Sequence, residues 1–197
     1  SEPTLDSPKY TKPVVMTERT LVKAKTFWNV NGKEKESEET SFELEIPELI
    51  ANVNAEVTPG ISRSYYKDAS TKEKMVDLGD LKPKKTILTK DLSTVSFQNE
   101  KMFALRYNGY IQIPSDGMYT LSGTSDNSYT IVSIHNSKEI ESKGDDEVSK
   151  VIPLKKGLHP IMVDYFVGKK EGEYSLTLEG PNMPKTEISA DLLFTSK

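Results

Sequence analysis

Apolar and polar residues alternate with a period of two along most of this chain. Phe42, Leu44 and Ile46 are separated by Glu43 and Glu45, which predicts a strand with one dry and one wet face. Val22 and Ala24 oppose Lys23 and Lys25 in the same way. Ile111 and Ile113 flank Gln112, and Tyr119 and Leu121 repeat the period after a break at Pro114, which has no N–H to donate to a ladder. Asp116-Gly117 in that break predicts a hairpin turn. Ile161, Val163, Tyr165 and Val167 fall on one side of a further strand, with Met162, Asp164 and Phe166 on the other. Both sides are largely apolar, which predicts a central strand packed between layers. Tyr174, Leu176 and Leu178 alternate with Ser175, Thr177 and Glu179.

Residues 61–66, 95–97, 102–107 and 129–135 also read as strands, and 67–90 as a charged, turn-prone stretch. Asn31-Gly32 predicts a turn, while Pro3, Pro8 and Pro13 mark extended segments. Sustained helical periodicity is absent, with one-turn pieces such as 189–193 the only helix candidates. Residues 47–58 lack clear periodicity and end at Pro59-Gly60, as a linker or a last strand would. The expectation is an all-β protein. It has a small partial β-sandwich over residues 1–47, a linker over 48–58 and a larger antiparallel β-barrel or sandwich over 59–197.

Composition narrows the function. The 197 residues carry 26 Lys and Arg against 30 Asp and Glu, a formal charge of −4 with the signs interspersed. No basic stripe is available to neutralise phosphates, so nucleic acid is not an expected partner. No apolar run approaches the roughly 20 residues of a helical membrane span, so membrane insertion is not expected. The absence of Cys excludes disulfides, thiolate chemistry and Cys-ligated zinc. Glu34, Glu36, Glu38 and Glu39 read as a solvated strand end. Opening on Ser1 with neither Met nor a leader, the sequence reads as part of something longer.

Several motifs in order give the second half a family resemblance. They are Gly60-Ile61-Ser62-Arg63-Ser64-Tyr65-Tyr66, Asn108-Gly109-Tyr110-Ile111-Gln112-Ile113-Pro114, Asp116-Gly117-Met118-Tyr119-Thr120-Leu121 and Gly157-Leu158-His159-Pro160-Ile161. This half resembles the PA14 domain, a β-barrel module of glycosidases, adhesins and toxins. Ser1-Glu2-Pro3-Thr4, Ser7-Pro8, Pro13-Val14 and Thr20–Phe27 resemble the chitobiase/β-hexosaminidase C-terminal domain, related to fibronectin-type-three-associated repeats. That family begins with a strand that is not present before Ser1, which would leave a sheet edge unpaired. The pair of modules resembles the tail of family-twenty glycoside hydrolases, the β-N-acetylhexosaminidases of Bacteroidetes. The resemblance implies a non-catalytic accessory region of a secreted, periplasmic or cell-surface enzyme, partnered by that enzyme's catalytic domain and by glycan. The alternatives are a calcium-dependent lectin or adhesin module and a purely structural spacer.

Asp126-Asn127 falls where lectin members of the family carry two adjacent aspartates, joined by a cis peptide, that hold calcium and through it sugar hydroxyls. Asn127 removes one carboxylate from that pair, and hard cations favour carboxylate oxygens. The resemblance thus implies Asp126, Asn127, Ser128 and Tyr129 as carbohydrate-binding residues and Asp126 with Asn127 as metal ligands. No cofactor is expected apart from that calcium. The competing reading is a loop in which Asp126 caps a turn. Asp145-Asp146-Glu147 beside Gly144 reads as a solvated turn. His135 and His159 lack a recognisable catalytic partner, and His159 reads as packing. Trp28 beside Phe27 reads as a domain-interface residue, and Tyr65 and Tyr66 as one core and one surface ring. No acidic pair sits in a recognised glycosidase pattern, so this chain is not expected to be catalytic.

Overall fold

A computed structural model describes residues 2–14, 16, 18–69, 77–97, 99–168 and 171–197. The chain divides into two compact units, Ser1–Glu48 and Leu49–Lys197. In the first, four strands form two separate antiparallel ladders: β1 (Thr20–Ala24) with β4 (Thr40–Leu44), and β2 (Phe27–Val30) with β3 (Lys33–Glu36). Val22 lies directly opposite Phe42, so the alternation of each strand places apolar residues on a shared face. Asn31 and Gly32 turn β2 into β3 with φ of 53° and 78°, the positive values of a type I′ hairpin. No described residue of this unit is buried.

The second unit holds the core. Its strands are β5 (Val57–Pro59), β6 (Ile61–Lys67), β7 (Lys85–Thr89), β8 (Phe103–Ile113), β9 (Gly117–Ile134), β10 (Ser137–Leu154), β11 (Gly157–Val167), β12 (Glu173–Gly180), β13 (Met183–Glu187) and β14 (Leu193–Ser196). They hydrogen-bond into a ten-stranded antiparallel network folded into a β-sandwich. One layer runs β7, β6, β8, β11 and the second half of β9. The other runs β13, β12 and the first half of β9. β10 follows β9 through both layers, and β14 joins the far end of β8 to β5. Tyr107, Tyr119, Tyr165, Ile161, Val163, Leu121 and Leu176 fill the interior from both layers. β11 is the expected central strand. Its outward residue Phe166 is covered by a second cluster with Tyr66, Ala69 and Leu78, and Asp164 accepts two bonds of 2.7 Å from Arg106.

Three expectations need correction, and residues 49–58 take up the second of the two readings left open for them. β8 and β9 do not form a hairpin, because Pro114 ends the ladder and the chain crosses from one layer to the other. Asp116 instead accepts the Lys156 N–H at 2.6 Å, and a side chain at Gly117 would overlap Pro181. Residues 95–97 form a single 3-10 turn rather than a strand, since Asp91 and Ser93 side chains accept the Ser93 and Val95 amides and hold the backbone locally. Residues 125–128 are not a loop between strands but the bend of one continuous strand, β9. Residues 49–58 belong with the second unit. Ile50 and Val53 bond the Pro153 and Leu158 carbonyls, both at 2.8 Å, and Val57 begins the pairing of β5 with β14.

Candidate functional site

Where β8 begins, β11 ends and β12 begins, the period of two turns Phe103, Tyr165 and Tyr174 inward at one end of the sandwich. The loop from Asp91 to Glu100 lies against them. Its carbonyls are the fixed points: Leu92 O accepts from the Tyr174 hydroxyl, and Ser93 O accepts from the Tyr107 hydroxyl at 3.0 Å and the Arg63 guanidinium at 3.3 Å. Phe97 from this loop stacks between Tyr65 and Phe103, with ring centroids 5.4 Å from each, and the Arg63 guanidinium lies 4.8 Å from its centroid. Phe103, Tyr165 and Tyr174 continue the aromatic series at 6.2 and 4.6 Å.

Between the loop and the start of β12 is a cavity of about 620 Å³. Phe97 and Tyr174 line it with part of their rings exposed, over the buried Phe103 and Tyr165, and Asp91, Glu100, Glu171, Glu173 and Glu187 also line it. Burial pushes the Tyr107 and Tyr165 phenols up to about 12 and Tyr174 well above its ordinary value. The phenols therefore stay neutral hydrogen-bond donors at physiological pH, each holding backbone in place. The arrangement offers the exposed parts of Phe97 and Tyr174 beside hydrogen-bond acceptors, which suits a ligand that is apolar on one face and rich in O–H or N–H groups on its edge.

None of the four sequence-predicted residues lines this cavity; Asp126, Asn127 and Ser128 lie against Glu173 and Gly172, which do. Asp126 lies directly opposite Glu173, and both point to the outer face of their layer because their neighbours Ser125 and Tyr174 point inward. Two carboxylates directly opposed repel each other. The Ser128 hydroxyl donates to the Glu173 carbonyl at 2.7 Å, and Gly172 sits against Asn127 and Ser128 so closely that a side chain would overlap them. Asn127 has a φ of 46°, and this left-handed residue bends β9 from one layer to the other; the Asp126–Asn127 peptide is trans. Tyr129 is separated from the others by the alternation: it packs edge-on to Phe166 and its hydroxyl donates to Glu141 on the opposite face of the layer. Among the described residues no group of three metal-ligating side chains gathers.

Residues 91–100 and their aromatic partners were not singled out by the sequence, although Asp91-Leu92-Ser93-Thr94 carries the turn-forming residues that shape the loop. Tyr65 joins the aromatic stack and donates to Glu100 at 2.6 Å, whereas Tyr66 is buried on the opposite face of β6. Of the Asp145-Asp146-Glu147 cluster, Glu147 pairs with Lys185 at 2.5 Å across the sheet. Trp28 is 46% exposed and lies opposite Lys35 in its ladder.

A family model described as PA14 domain matches residues 58–192. The fold is also similar to that of an anti-sigma factor domain-containing protein from Clostridium clariflavum, at 17% identity and a TM-score of 0.56 over 84% of this chain and 60% of that one. The PA14 domain of an antifreeze protein, MpAFP, superposes with a TM-score of 0.54 at 12% identity, over 74% of this chain and 95% of that domain. The A domain of Epithelial Adhesin 6 from Candida glabrata, solved in complex with Galb1-3GlcNAc, gives 0.52 at 14% identity over 73% of this chain and 89% of the adhesin domain. No curated relative matches in sequence.

Proposed function

The chain belongs to the PA14 domain family through residues 58–192, and on that premise we propose that it is a non-catalytic carbohydrate-binding module whose ligand occupies the cavity between the 91–100 loop and β12. One observation carries the reading: a space of about 620 Å³ at one end of the sandwich is lined both by aromatic residues, Phe97 and Tyr174 among them, and by the acidic residues Asp91, Glu100 and Glu171. Aromatic rings pack against the C–H face of a sugar while carboxylates and carbonyls accept its hydroxyls. The similar adhesin domain was solved with a disaccharide, which makes a glycan the first ligand class to try.

In its finer form the proposal makes this module an accessory part of a secreted, periplasmic or cell-surface glycoside hydrolase, a β-N-acetylhexosaminidase, whose catalytic domain is its partner. The motifs of residues 1–27 quoted above support that assignment. A native gene encoding a catalytic barrel with an Asp-Glu pair ahead of these residues would establish it, and a gene without one would remove it. The second reading is a calcium-dependent lectin. It is favoured by the opposed Asp126 and Glu173 carboxylates, whose repulsion a divalent cation would relieve.

A glycan array of the whole chain, run with calcium and again with chelator, separates these readings. The cavity reading expects binding that survives chelation and falls roughly tenfold or more, about 1.4 kcal/mol, in a Glu100→Gln, Glu171→Gln variant. Loss on chelation selects the lectin. Absence of binding in both arms selects the spacer and removes the cavity reading.

A further inference from the structure

The chain has two histidines, and the fold bonds them to each other. His135 begins the turn between β9 and β10, where it and Asn136 have φ of 49° and 63°. His159 lies in β11 and is 0% exposed. The rings meet edge to face, with His135 Nε2 at 2.8 Å from His159 Nδ1, and His159 Nε2 is 2.7 Å from the Lys155 carbonyl oxygen. A carbonyl only accepts, so His159 carries its proton on Nε2 and presents a lone pair at Nδ1. His135 must then donate from Nε2. This chain of bonds is complete for two neutral rings. A proton added at His159 Nδ1 would point one N–H at another and break the chain, whereas a proton added at His135 Nδ1 would leave the Nε2–H bond to His159 in place.

The Lys155 peptide gives the pair its structural reach. Its N–H donates to Ile50 O at 3.0 Å, Ile50 N–H donates to Pro153 O, and Val53 N–H donates to Leu158 O, both at 2.8 Å. The turn between β10 and β11 therefore seats the segment that opens the second unit, and the histidines hold that turn from inside. The His135 N–H adds a bond to Pro160 O at 3.0 Å. We propose that the His135–His159 pair is an acid-sensitive latch that fixes Ile50–Val53 onto the β10–β11 turn and releases it when His159 is protonated.

The electrostatic surroundings agree. Burial lowers both imidazoles from their ordinary value; for His159 the Lys155 carbonyl opposes this and the charge of His135 adds to it. Charged groups on the flanking elements are bonded elsewhere: Lys138 to Glu141, Lys150 to Glu139, and Asp116 to the Lys156 amide. Lys155 acts on His159 through its carbonyl, and no carboxylate is bonded to either ring among the described residues. A ring held neutral in the fold binds fewer protons than its unfolded counterpart. The contribution is therefore fully present above the unfolded value near 6.5 and declines as pH falls below it.

Amide hydrogen exchange of the whole chain tests the latch. After correction for intrinsic rates, protection of Ile50, Val53 and Lys155 should fall roughly tenfold or more between about pH 7.5 and about pH 5, while β12 amides stay unchanged. A His135→Gln, His159→Gln variant, which keeps donors and acceptors but cannot charge, should hold those amides equally at both values. Equal protection in the native chain at both values overturns the proposal, as does an acid loss that persists in the variant. Imidazole nitrogen spectra of the native chain supply a second check that needs no variant. They should show His159 as the Nε2–H tautomer and both rings titrating below 6.5; an Nδ1–H tautomer, or titration at or above that value, overturns it.

Discussion

On β11 of the second unit, Ile161, Val163 and Tyr165 are at most 1% exposed, whereas on β4 of the first, Phe42 and Leu44 alternate with polar residues just as regularly and are 48% and 40% exposed. The difference lies in what surrounds each strand. β11 is hydrogen-bonded to β8 on one side and β9 on the other, with the second layer against its inner face and the Tyr66, Ala69 and Leu78 cluster over its outer one. β4 has one partner, β1, and among the described residues nothing buries the face that Val22 and Phe42 share. A two-stranded ladder satisfies half of its backbone groups and is marginal in water by itself. The alternation of a strand therefore states which face wants to be dry, and only neighbouring layers make it so.

If that contrast is right, a core truncation in the second unit has the largest effect. Leu105→Ala, at a position 0% exposed between Tyr65 and Tyr165 in register, should cost about 2–5 kcal/mol in urea denaturation, since the packed interior collapses only partly around the gap. A loss below about 1 kcal/mol would mean the two units differ less than their burial indicates. Next comes Asp164→Ala. It removes both acceptors of Arg106 and leaves a half-buried guanidinium without its paired carboxylate, at an expected cost of about 2–3 kcal/mol after allowing for the partial exposure of Arg106. A cost near zero would show that the outer face of β11 is wetter than its neighbours suggest.

The strands were legible in the sequence because their period of two is strong, and β11 was legible even in its double burial, from Phe166 and Met162 on its outer side. The connections were less so. Asp116-Gly117 spells a hairpin, yet a turn dipeptide reports local backbone preference and not which strand lies next door; the Asp116 oxygen accepts from Lys156 just beyond the end of the β9–β10 ladder. The hairpin that does join β9 to β10 is turned by His135-Asn136, a pair with no glycine to announce it. Of the candidate site the sequence named no lining residue as a ligand contact: Asp126 and Ser128, expected from family motifs, lie beside the cavity rather than in its lining, and the aromatic residues stayed hidden. Phe97, Phe103, Tyr165 and Tyr174 are far apart in the chain and each reads alone as an ordinary core residue. Their convergence is a property of topology.

The smallest expected effect is the sharpest test of the contrast. Phe42→Ser replaces a large apolar side chain on the shared face of β1 and β4, where it is already about half exposed. With so little surface to return to water, the change should stay within about 0.5 kcal/mol, as substitutions outside packed sites do. It should leave the β1–β4 amide shifts in place. Urea denaturation followed by backbone amide spectra reads both, and repeating it at two protein concentrations tells a face that is bare from one that a second copy covers. A cost above about 2 kcal/mol, or one that appears only at the higher concentration, would mean that Phe42 is buried in solution. The first unit would then own a core of the same kind as the second, and the distinction between a strand that is patterned and a strand that is packed would fail for this protein.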